Sequence, residues 1–405
     1  MRICVLGAGI VGLATAWQLR QQGHDVTVID RTQPGCGASG GNGAQLSYSY
    51  VAPLADPGIW GQLPKLLLAA DSPLKLRPRL DPLQWQWGLR FLAACNAGTA
   101  RATTAQLLIL AAESRAAFDA MRAKLRPDCD FSTTGKLVLY DSADGLAGAR
   151  RQLELQRQLG SQQHLLTAQE CVAIEPALDG YRRHIAGAVH TPSECAADCL
   201  KLCQALARAL AADGARLLLE HEVQGWVQRG GIAVAVRTTA SEVEADAFVV
   251  ALGTASHAIG RQLGVYLPVY PLKGYSITVT PDPAPGAAPR VSVTDSARKV
   301  VFARLGERLR VAGMAEIVGA DTRIPPERIR TLVAATQAVF PQCGPVFDAP
   351  EPWTGMRPAT PTGLPIVGRV ARAPANVLFN TGHGALGFTL AFGSAGRIAA
   401  QLPAA

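Results

Sequence analysis

Three glycines and one aspartate near the amino terminus have the types and the spacing of a dinucleotide-binding site. Gly7, Gly9 and Gly12 form the pattern G-x-G-x-x-G, and Asp30 follows 18 residues after the last glycine. The first glycine of such a pattern allows a tight turn, the second lets a pyrophosphate approach the backbone, and the third lets a helix pack on the sheet. An acid at this distance accepts from a ribose hydroxyl and argues against a 2′-phosphate. The pattern alone leaves NAD and FAD open.

The segments around these residues have the order that such a site requires. Apolar runs over Arg2–Leu6 and Val26–Ile29 predict two strands, and the periodic stretch Ile10–Gln22 predicts a helix between them. The free N–H groups and the positive end of this helix would meet the phosphates. The alternative is a glycine-rich turn in an ordinary α/β protein, but the acid at the end of the second strand favours the nucleotide site.

Five other side chains are candidates for chemistry at the substrate or the cofactor. Arg357 stands among small and apolar neighbours in GMRPATP, and a guanidinium matches a carboxylate bidentately and stays charged; the alternative is a structural ion pair. Tyr275 could offer its hydroxyl to the same carboxylate or could pack in a strand, and Tyr50 is similar. His383, between two glycines, could be a catalytic base, but we favour a role for its backbone groups. Lys273 could add charge near the cofactor or be a solvated strand lysine.

The nine cysteines contain no C-x-x-C pair, and their number is odd. We therefore expect reduced thiols in a cytoplasmic protein. Cys195, Cys199 and Cys203 recur every four residues in a stretch that we predict to be helical, so they would share one face. They could be ligands of an iron–sulfur cluster or a core face of small residues. Because no fourth ligand is near, we favour the core face and predict no metal site.

The composition is that of a globular protein of 405 residues with two domains, since 48% of the residues are hydrophobic and 17% are charged. The net charge is 39 − 31 = +8. The basic residues are scattered, which argues against nucleic-acid binding. We expect no signal peptide and no membrane span, because the longest candidate, 60–95, is interrupted by prolines.

The rest of the chain alternates between helical and strand patterns. We predict helices over Ala102–Leu125, Ala143–Leu159, Thr167–Ile174, Ala196–Ala211, Pro326–Phe340 and about Ala385–Leu402. Strands are predicted over Phe131–Tyr140, Gly187–His190, Arg216–Glu220, Val223–Gln228, Ile232–Thr238, Glu242–Val250, Pro268–Thr280, Val291–Thr294, Val300–Ala303 and Leu309–Ala312. The Gly- and Ser-rich stretch 31–50 is predicted to run beside a ligand.

Six segments together resemble the D-amino acid dehydrogenases of the small-subunit type, in the FAD-dependent D-amino acid oxidase superfamily. They are GAGIVGLATAWQL with Asp30, SGGNGAQLS, PVYPLKGYS, VAGMAEIVG, WTGMRPATPTGLPIVG and NTGHGALGFTLAFGS. The resemblance covers nearly the whole chain, and the PLKGY, AEIVG and GHGALGF pieces are its most specific parts. Thr362 stands where the family pattern has an aspartate.

The resemblance implies a mixed α/β fold in which a Rossmann-like FAD-binding domain accompanies a discontinuous substrate domain built on a β-sheet with helices. The FAD-binding domain would comprise residues 1–50, 186–262 and 356–405, and the substrate domain residues 51–185 and 263–355. FAD would be the cofactor. Its ADP half would be held by Gly7, Gly9, Gly12, Asp30 and Arg31, with the backbone of Val223 on the adenine side. The pyrophosphate and flavin would lie along Ser39, Asn42, Gly43, Gln45 and Leu46, and the chain would pass close to the cofactor at Ala251 and Gly253. The pyrimidine edge of the flavin would face Gly382, Gly384, Leu386, Gly387 and Phe388.

The resemblance also implies a function. The chain would oxidise free D-amino acids to 2-oxo acids and ammonia by hydride transfer from Cα to flavin N5, and would pass the electrons to a quinone or another acceptor. Arg357, Tyr275 and Tyr50 would bind the substrate. The alternatives are a related flavin enzyme acting on glycine, sarcosine or D-(hydroxy)proline, a flavoprotein subunit of a larger complex, and a nicotinamide-dependent dehydrogenase.

A membrane contact is a further hypothesis. The stretch 60–95 holds the aromatic residues Trp60, Trp85, Trp87 and Phe91 and the basic residues Lys65, Lys75, Arg77, Arg79 and Arg90. Aromatic and basic side chains together suit the surface of an anionic membrane. The alternative is a helical cap over the active site with buried tryptophans. We therefore expect a cytoplasmic protein that could lie peripherally on the inner face of the cytoplasmic membrane.

Overall fold

A computed structural model describes residues 1–61, 74–158, 161–344 and 350–403. The helices in these ranges are α1 (Ile10–Gln21), α2 (Pro82–Ala94), α3 (Ala97–Leu125), α4 (Ala143–Gln158), α5 (Ala168–Ile174), α6 (Cys199–Ala212), α7 (Ser256–Arg261), α8 (Pro326–Val339) and α9 (Gly387–Ala399). The strands are β1 (Arg2–Leu6), β2 (Asp25–Ile29), β3 (Gln45–Leu46), β4 (Leu74–Leu76), β5 (Lys136–Tyr140), β6 (His164–Leu166), β7 (Gly187–Thr191), β8 (Cys195–Ala196), β9 (Arg216–Leu218), β10 (Val223–Arg229), β11 (Ile232–Thr238), β12 (Glu242–Glu244), β13 (Ala247–Val250), β14 (Tyr270–Val279), β15 (Ser292–Asp295), β16 (Val300–Leu305), β17 (Arg308–Ile317), β18 (Glu351–Ala359), β19 (Ile366–Gly368) and β20 (Val377–Thr381).

One part of the molecule is built on a six-stranded sheet, in the order β19-β20-β13-β1-β2-β9. All its pairings are parallel except that of β19 with β20. One apolar core joins α1, α3, α6 and α9 to one face, and a second core joins the small sheet β10-β11-β12 to the other face. A parallel sheet that is covered on both faces is the Rossmann-like arrangement that the first thirty residues predict.

The other part is built on a nine-stranded sheet, in the order β18-β14-β17-β16-β15-β5-β7-β6, with β4 paired to β17. Helices α5 and α8 pack on one of its faces, so the mixed α/β fold with a second domain on a sheet with helices is confirmed. Strand β7 pairs with β5 and β6, and β18 runs through residue 356. Strands of this sheet therefore extend beyond two of the boundaries drawn at 186 and 356. The division into domains stays a prediction.

Two predicted elements are wrong in detail. The predicted helix Ala196–Ala211 begins only at Cys199, because the Asp198 carboxylate caps it by accepting from the N–H groups of Leu200 and Lys201. Cys195 lies before this cap, in β8, so the three cysteines do not share a helix face, although all three are buried. The predicted strand Glu242–Val250 is two strands: β12 pairs with β11 in the small sheet, and β13 pairs with β1 in the parallel sheet.

The stretch 60–95 contains α2, and the predicted helix Ala102–Leu125 is part of the longer α3. Residues 62–73, including Lys65, lie outside the described ranges. Helix α2 is two-sided. Trp87 and Phe91 are buried and stacked, with ring centroids 5.1 Å apart, whereas Trp85 is exposed. Helix α2 thus has one buried face and one exposed face, and the membrane contact stays a prediction. No helix among the described residues has both the length and the apolar character to cross a bilayer.

Helix α9 packs against α3 so closely that no side chain fits at one position. A Cβ on Gly393 would lie 2.6 Å from the carbonyl oxygen of Leu110 and 2.8 Å from the amide nitrogen of Ser114. Both of these are backbone atoms of α3, which are not free to move aside. One turn further along, a Cβ on Gly396 would meet no atom within 4 Å.

This contrast predicts opposite effects of the same substitution in one helix. Gly393→Ala should lower the free energy of unfolding by about 1–3 kcal/mol, because it overpacks the interface. Gly396→Ala should raise it by about 0.5–1 kcal/mol, because alanine favours a helix over glycine. Urea denaturation of the two variants measures both effects. Equal stabilities of the two variants would show that α9 does not pack on α3 in this way.

Candidate active site

The glycine turn after β1 brings three backbone segments together. Gly7 has a φ of +114°, and a Cβ there would lie 2.4 Å from the carbonyl oxygen of Ala251. A Cβ on Gly12 would lie 1.8 Å from the carbonyl oxygen of Gly7, so only glycine allows α1 to pack on this turn. A Cβ on Gly9 would meet nothing nearer than the Ser39 hydroxyl, at 3.6 Å. The backbone at Gly9 is therefore open to a ligand, and the other two glycines have the packing roles that the pattern predicts.

The carboxylate of Asp30 is held in place at the end of β2. One oxygen accepts from the N–H of Ala8 at 2.7 Å, and the other accepts from the N–H and the hydroxyl of Thr32 at 2.8 and 3.0 Å. Arg31 is exposed, and its guanidinium lies 3.8 Å from Glu222. The acid thus faces the cavity that begins at the glycine turn, at the place where a ribose would lie in a Rossmann-like site.

A cavity of about 1030 Å³ extends from the glycine turn to Arg357. Its volume is at the upper end for ligand pockets, which suits an extended dinucleotide with a small substrate. The open backbone at Gly9, the start of α1 and the fixed Asp30 fit the ADP half of FAD. The predicted cofactor residues that line the cavity are Gly7, Gly9, Asp30, Arg31, Ser39, Asn42, Gly43, Gln45, Val223, Ala251, Gly253, Gly384, Leu386, Gly387 and Phe388.

Three predicted cofactor residues do not line this cavity. Gly12 serves the packing of α1, and the side chain of Leu46 is buried in the core of the parallel sheet. Gly382 has a φ of +83°, and a Cβ there would lie 2.6 Å from Thr360. These residues therefore shape the site through the backbone and through packing, and any direct contact of theirs with the cofactor stays a prediction.

The loop after Asp30 is hydrogen-bonded both to α1 and to the nine-stranded sheet. Ser39 accepts from the N–H of Ile10 at the start of α1, at 3.1 Å. Further along, the carbonyl of Asn42 accepts from Arg310 at 3.1 Å, and the side-chain amide of Gln45 donates to two carbonyls of the nine-stranded sheet at 3.3 Å. The predicted ligand-side loop is thus an ordered wall of the cavity.

The start of α9 closes the far end of the cavity. A short 3₁₀ turn, Gly384–Leu386, precedes α9, so the helix begins two residues later than predicted. The residues of its first turn line the cavity, so the positive end of its dipole faces the cavity, and no acidic residue in that turn offsets it. His383 pairs through its backbone with Ala359. Its buried ring lies 3.0 Å from the Ser394 hydroxyl, and burial lowers its pKa to about 3. An imidazole with so low a pKa is a weak base, and Ser394 holds the ring in place. The backbone role of His383 is therefore favoured over that of a catalytic base.

The guanidinium of Arg357 lies in the cavity at this same end. Among the described residues no carboxylate is within 4 Å of it, so it is not the structural ion pair that was the alternative. Burial lowers its pKa to about 10, so it stays charged at neutral pH. A Cβ on Gly274 would lie 2.3 Å from its Nη2. The guanidinium therefore rests directly on the β14 backbone, where glycine leaves room for it.

A β-bulge in β17 fixes the orientation of Arg357. The pairing of β14 with β17 shifts register between Lys273 and Tyr275, opposite Met314. Met314 adopts a φ of +62°, which is rare for a residue with a long side chain. Its carbonyl accepts from Nη1 of Arg357 at 2.8 Å. Bulges often re-aim groups next to active sites, and this one leaves the Nη2 side of the guanidinium for a ligand.

The prediction that the Tyr275 hydroxyl meets a substrate carboxylate stays a prediction, and the structure gives this hydroxyl another partner. Side chains that lie directly opposite each other on paired strands share a face, and Arg357 is paired with Leu272 while Gly355 is paired with Gly274. Tyr275 therefore points to the other face of β14. The residue lines part of the cavity, but its hydroxyl donates to the buried Glu316 at 2.8 Å, and burial raises the pKa of Tyr275. A contact with a substrate carboxylate would require this hydrogen bond to break.

Lys273 lies on that other face as well. Its ammonium donates to the carbonyl of Arg323 and lies 3.9 Å from the Asp321 carboxylate, and the residue is buried. It is therefore neither a solvated strand lysine nor a lysine of the main cavity. Glu316, beside it, forms an ion pair of 2.6 Å with Arg328 of α8. This group of charges holds α8 to the sheet.

Tyr50 lies in the wall of the cavity, next to Lys136, which was not predicted as a site residue. Both residues line the cavity. The ammonium of Lys136 lies 4.5 Å from the centre of the Tyr50 ring and donates to the Ser47 hydroxyl at 2.9 Å. Burial lowers the pKa of Lys136 to about 8, although Glu194 opposes the shift. A lysine at the start of a short strand gave no sequence signal that it would be buried.

Trp353 was also missed, and here a signal existed. Trp353, Gly355 and Arg357 are spaced by two, so in a strand they lie on one face. A Cβ on Gly355 would lie 2.0 Å from the indole, and one on Gly41 would lie 2.3 Å from it. Two glycines thus leave room for an indole that lines the cavity beside the arginine. The spacing W-x-G-x-R predicts this arrangement.

The comparisons with known proteins concern the family and the fold. The family model described as FAD dependent oxidoreductase matches residues 2–402. A protein of Ralstonia nicotianae called D-amino acid dehydrogenase 2 is 50% identical, over 98% of this chain and 96% of its own length. Proteins of Pseudomonas aeruginosa and Dechloromonas aromatica with similar names are 46% and 40% identical, each over 99% of this chain and over 94% and 97% of their own lengths.

Solved structures share the fold at lower identity. Glycine oxidase from Geobacillus kaustophilus is 22% identical with a TM-score of 0.77, over 98% of this chain and 94% of that one. L-proline dehydrogenase from P. horikoshii is 19% identical with a TM-score of 0.74, over 98% and 92% of the two chains. At this identity the likeness concerns the fold alone.

The placement of Arg357 over Gly274 generates a prediction. In Gly274→Ala the new methyl group would displace the guanidinium, whereas the sheet pairing can persist. The dissociation constant of a simple carboxylate such as pentanoate should rise roughly 10- to 100-fold, which corresponds to one lost charge-assisted hydrogen bond. Isothermal titration calorimetry of the purified protein measures the change, with Gly396→Ala as the control glycine substitution. An unchanged dissociation constant in Gly274→Ala would mean that carboxylates bind elsewhere.

Proposed function

We propose that this chain, which belongs to the FAD dependent oxidoreductase family, oxidises free D-amino acids to 2-oxo acids and ammonia and passes the electrons to a quinone or another carrier. Relatives that are 40–50% identical over nearly their whole lengths carry the name D-amino acid dehydrogenase. The fold and the fit of the cavity to FAD support FAD as the cofactor of this reaction.

The observation that carries the proposal is the unpaired guanidinium of Arg357 at one end of the cavity. It lies close to the start of α9, because Ala359 pairs with His383 just before that helix, and the same cavity reaches the glycine turn. A dinucleotide that extends from the glycine turn would bring its reactive ring to this end. A small molecule with a carboxylate would be the natural partner of the arginine.

The chain's own residues would orient the substrate and stabilise charge. FAD, when bound, supplies the acceptor for the hydride that leaves the substrate Cα. Arg357 would hold the α-carboxylate in a fixed position, since Gly274 and the Met314 carbonyl fix its guanidinium. The positive end of α9 would stabilise negative charge that develops at this end of the cavity. Water would then hydrolyse the imine product to the 2-oxo acid and ammonia.

No protonatable base is needed beside the substrate in this scheme. A substrate whose amine is neutral loses hydride without a base, and orientation contributes most of the catalysis. The buried, neutral ring of His383 is compatible with this. Glycine and D-proline are alternative substrates of the same chemistry, and the likeness to glycine oxidase does not decide between them, because it concerns the fold.

Peripheral membrane contact is the second part of the proposal. Trp60, Leu80, Trp85 and Leu89 form an exposed apolar group at and around α2, which we call the α2 patch, with exposed fractions of 53%, 106%, 54% and 68%. Arg79 and Arg90 are exposed beside it. An aromatic and apolar surface with basic neighbours suits an anionic bilayer, where a quinone would be within reach.

The first prediction concerns the reaction. Under anaerobic conditions D-alanine, D-methionine or D-glutamate should bleach the visible bands of the purified flavoprotein, and the L-forms should not. Arg357→Met should lower kcat/KM by roughly a hundredfold or more, because two charge-assisted hydrogen bonds are lost, and Arg357→Lys should retain part of the activity. Bands that stay oxidised with every D-amino acid, glycine and D-proline would disprove the proposed reaction while leaving the family assignment intact.

The second prediction concerns the membrane. The double substitution Trp85→Ser/Leu89→Ser should weaken binding to vesicles that contain phosphatidylglycerol by about tenfold or more, since each apolar side chain contributes about 1.5–3 kcal/mol when it is buried. Ile109→Ser removes another exposed apolar side chain, on α3, and should leave vesicle binding unchanged. Sedimentation with the vesicles gives the comparison. Equal binding of the two variants, or no binding by the unaltered chain, would refute the contact.

A further inference from the structure

Lys136 is a buried cation of the main cavity for which the proposed reaction has no use. It begins β5, and its residue is 4% exposed. Its ammonium donates to the Ser47 hydroxyl at 2.9 Å and lies 4.5 Å from the centre of the Tyr50 ring. All three residues line the cavity. The ammonium therefore stands at the cavity wall, where a ligand can reach it.

The ammonium is only partly compensated by the part of the chain that the structure describes. No carboxylate lies within 4 Å of it there, and Ser47 is the one hydrogen-bond acceptor found for its three N–H groups. Glu194 acts on it only from a greater distance. That carboxylate is itself buried: one oxygen accepts from the N–H of Ser49 at 2.7 Å, and the other has no partner. A buried cation is costly unless a partner compensates it, so the arrangement points to an anionic guest.

Lys136 lies at the same end of the cavity as Arg357, because both are tied to the start of α9. On one side, Ala359, two residues after Arg357, pairs with His383 just before the helix. On the other side, the N–H of Ser47, the partner of Lys136, donates to the Thr389 hydroxyl in the first turn of α9, at 3.2 Å. Strands β18 and β5 are not neighbours in the nine-stranded sheet, so these two links to the start of α9 are what relates the two cations to each other.

The other anionic groups that a dinucleotide and a substrate would bring into the site would each have a partner. The phosphates of a dinucleotide would lie at the glycine turn. The α-carboxylate of the substrate would be held by Arg357, and the negative charge that develops at this end would be stabilised by α9. The substrate side chain is then the part of the ligand that no protein group binds. Lys136 is the cavity cation to which no anionic group has been assigned.

We propose that Lys136 determines substrate specificity by binding a carboxylate at the end of the substrate side chain, so that the enzyme favours acidic D-amino acids such as D-glutamate over neutral ones of similar length. This inference rests on the proposed function. Arg357 and Lys136 then hold the two carboxylates of one substrate, and the Tyr50 ring forms the wall beside the distal one. Ser47 keeps the ammonium pointed at the cavity.

The test compares two substrates of similar length in the FAD-loaded enzyme. The ratio of kcat/KM for D-glutamate to that for D-methionine should fall roughly 10- to 100-fold in Lys136→Met, as expected for one charge-assisted interaction, while kcat/KM for D-methionine stays within about twofold. Lys136→Arg should retain much of the ratio, because it keeps the charge. Lys136→Gln, which can still hydrogen-bond to Ser47, gives the same test if the methionine variant does not fold.

A binding measurement supplies a readout that does not depend on turnover. Glutarate and pentanoate have the same chain length and differ by one carboxylate. Glutarate should bind the unaltered enzyme more tightly than pentanoate, and Lys136→Met should remove this difference, as followed by the visible spectrum of the bound flavin. Lys273→Met is the matched control, because it removes another buried lysine of the same sheet from the opposite face. It should leave both the substrate ratio and the glutarate preference unchanged.

The outcomes separate this inference from the proposed function. If D-methionine reduces the enzyme and Lys136→Met leaves the substrate ratio unchanged, the inference is overturned and the function stands. If Lys136→Met slows both substrates equally, the lysine serves the cofactor or the fold, and the inference is again overturned. If no D-amino acid reduces the unaltered enzyme, the proposed function itself fails, and the inference fails with it.

Discussion

The seat of helix α9 against α1 and α3, on one face of the parallel sheet, is the constraint on which the site depends. Its middle lies against α3, where Gly393 leaves no room for a side chain. Its start is flanked by the end of β18 and by the loop that carries Ser47. Because a helix is rigid, seating its middle fixes its end. The cavity, the positive end of the helix and the two unpaired cations are therefore positioned by one packing contact that lies outside the cavity.

Charge pairing separates structural cations from those available to a ligand. Arg328 and Lys273 lie on the helix-covered face of the nine-stranded sheet, and each has a carboxylate partner there. Arg357 and Lys136 face the cavity, and no carboxylate among the described residues pairs with either. The same sheet thus uses paired charges to hold α8 and leaves unpaired ones on the side where a ligand can compensate them. Which face a residue occupies, more than its type, decides its role.

This is also where prediction from the sequence succeeds and fails. The glycine turn, Asp30 and the helix between them could be predicted, because each is specified by neighbours within thirty residues. Arg357 could be placed as well, by its motif. The orientation of Tyr275 could not, since it depends on the pairing of β14 with β18, about 80 residues away, and on a bulge in a third strand. The burial of Lys136 is likewise a product of how distant segments meet.

Asp30 has a consequence for nucleotide recognition that follows from its rigidity. Three hydrogen bonds from Ala8 and Thr32 hold both carboxylate oxygens before any nucleotide is considered. Ordering a side chain on binding costs about 0.5–1.5 kcal/mol, and a preorganised acid does not incur that cost. The same rigidity works as a filter. A carboxylate that cannot swing aside accepts a ribose hydroxyl, but it repels a phosphate at that position, so the affinity for the right nucleotide and the rejection of the wrong one come from a single immobile side chain.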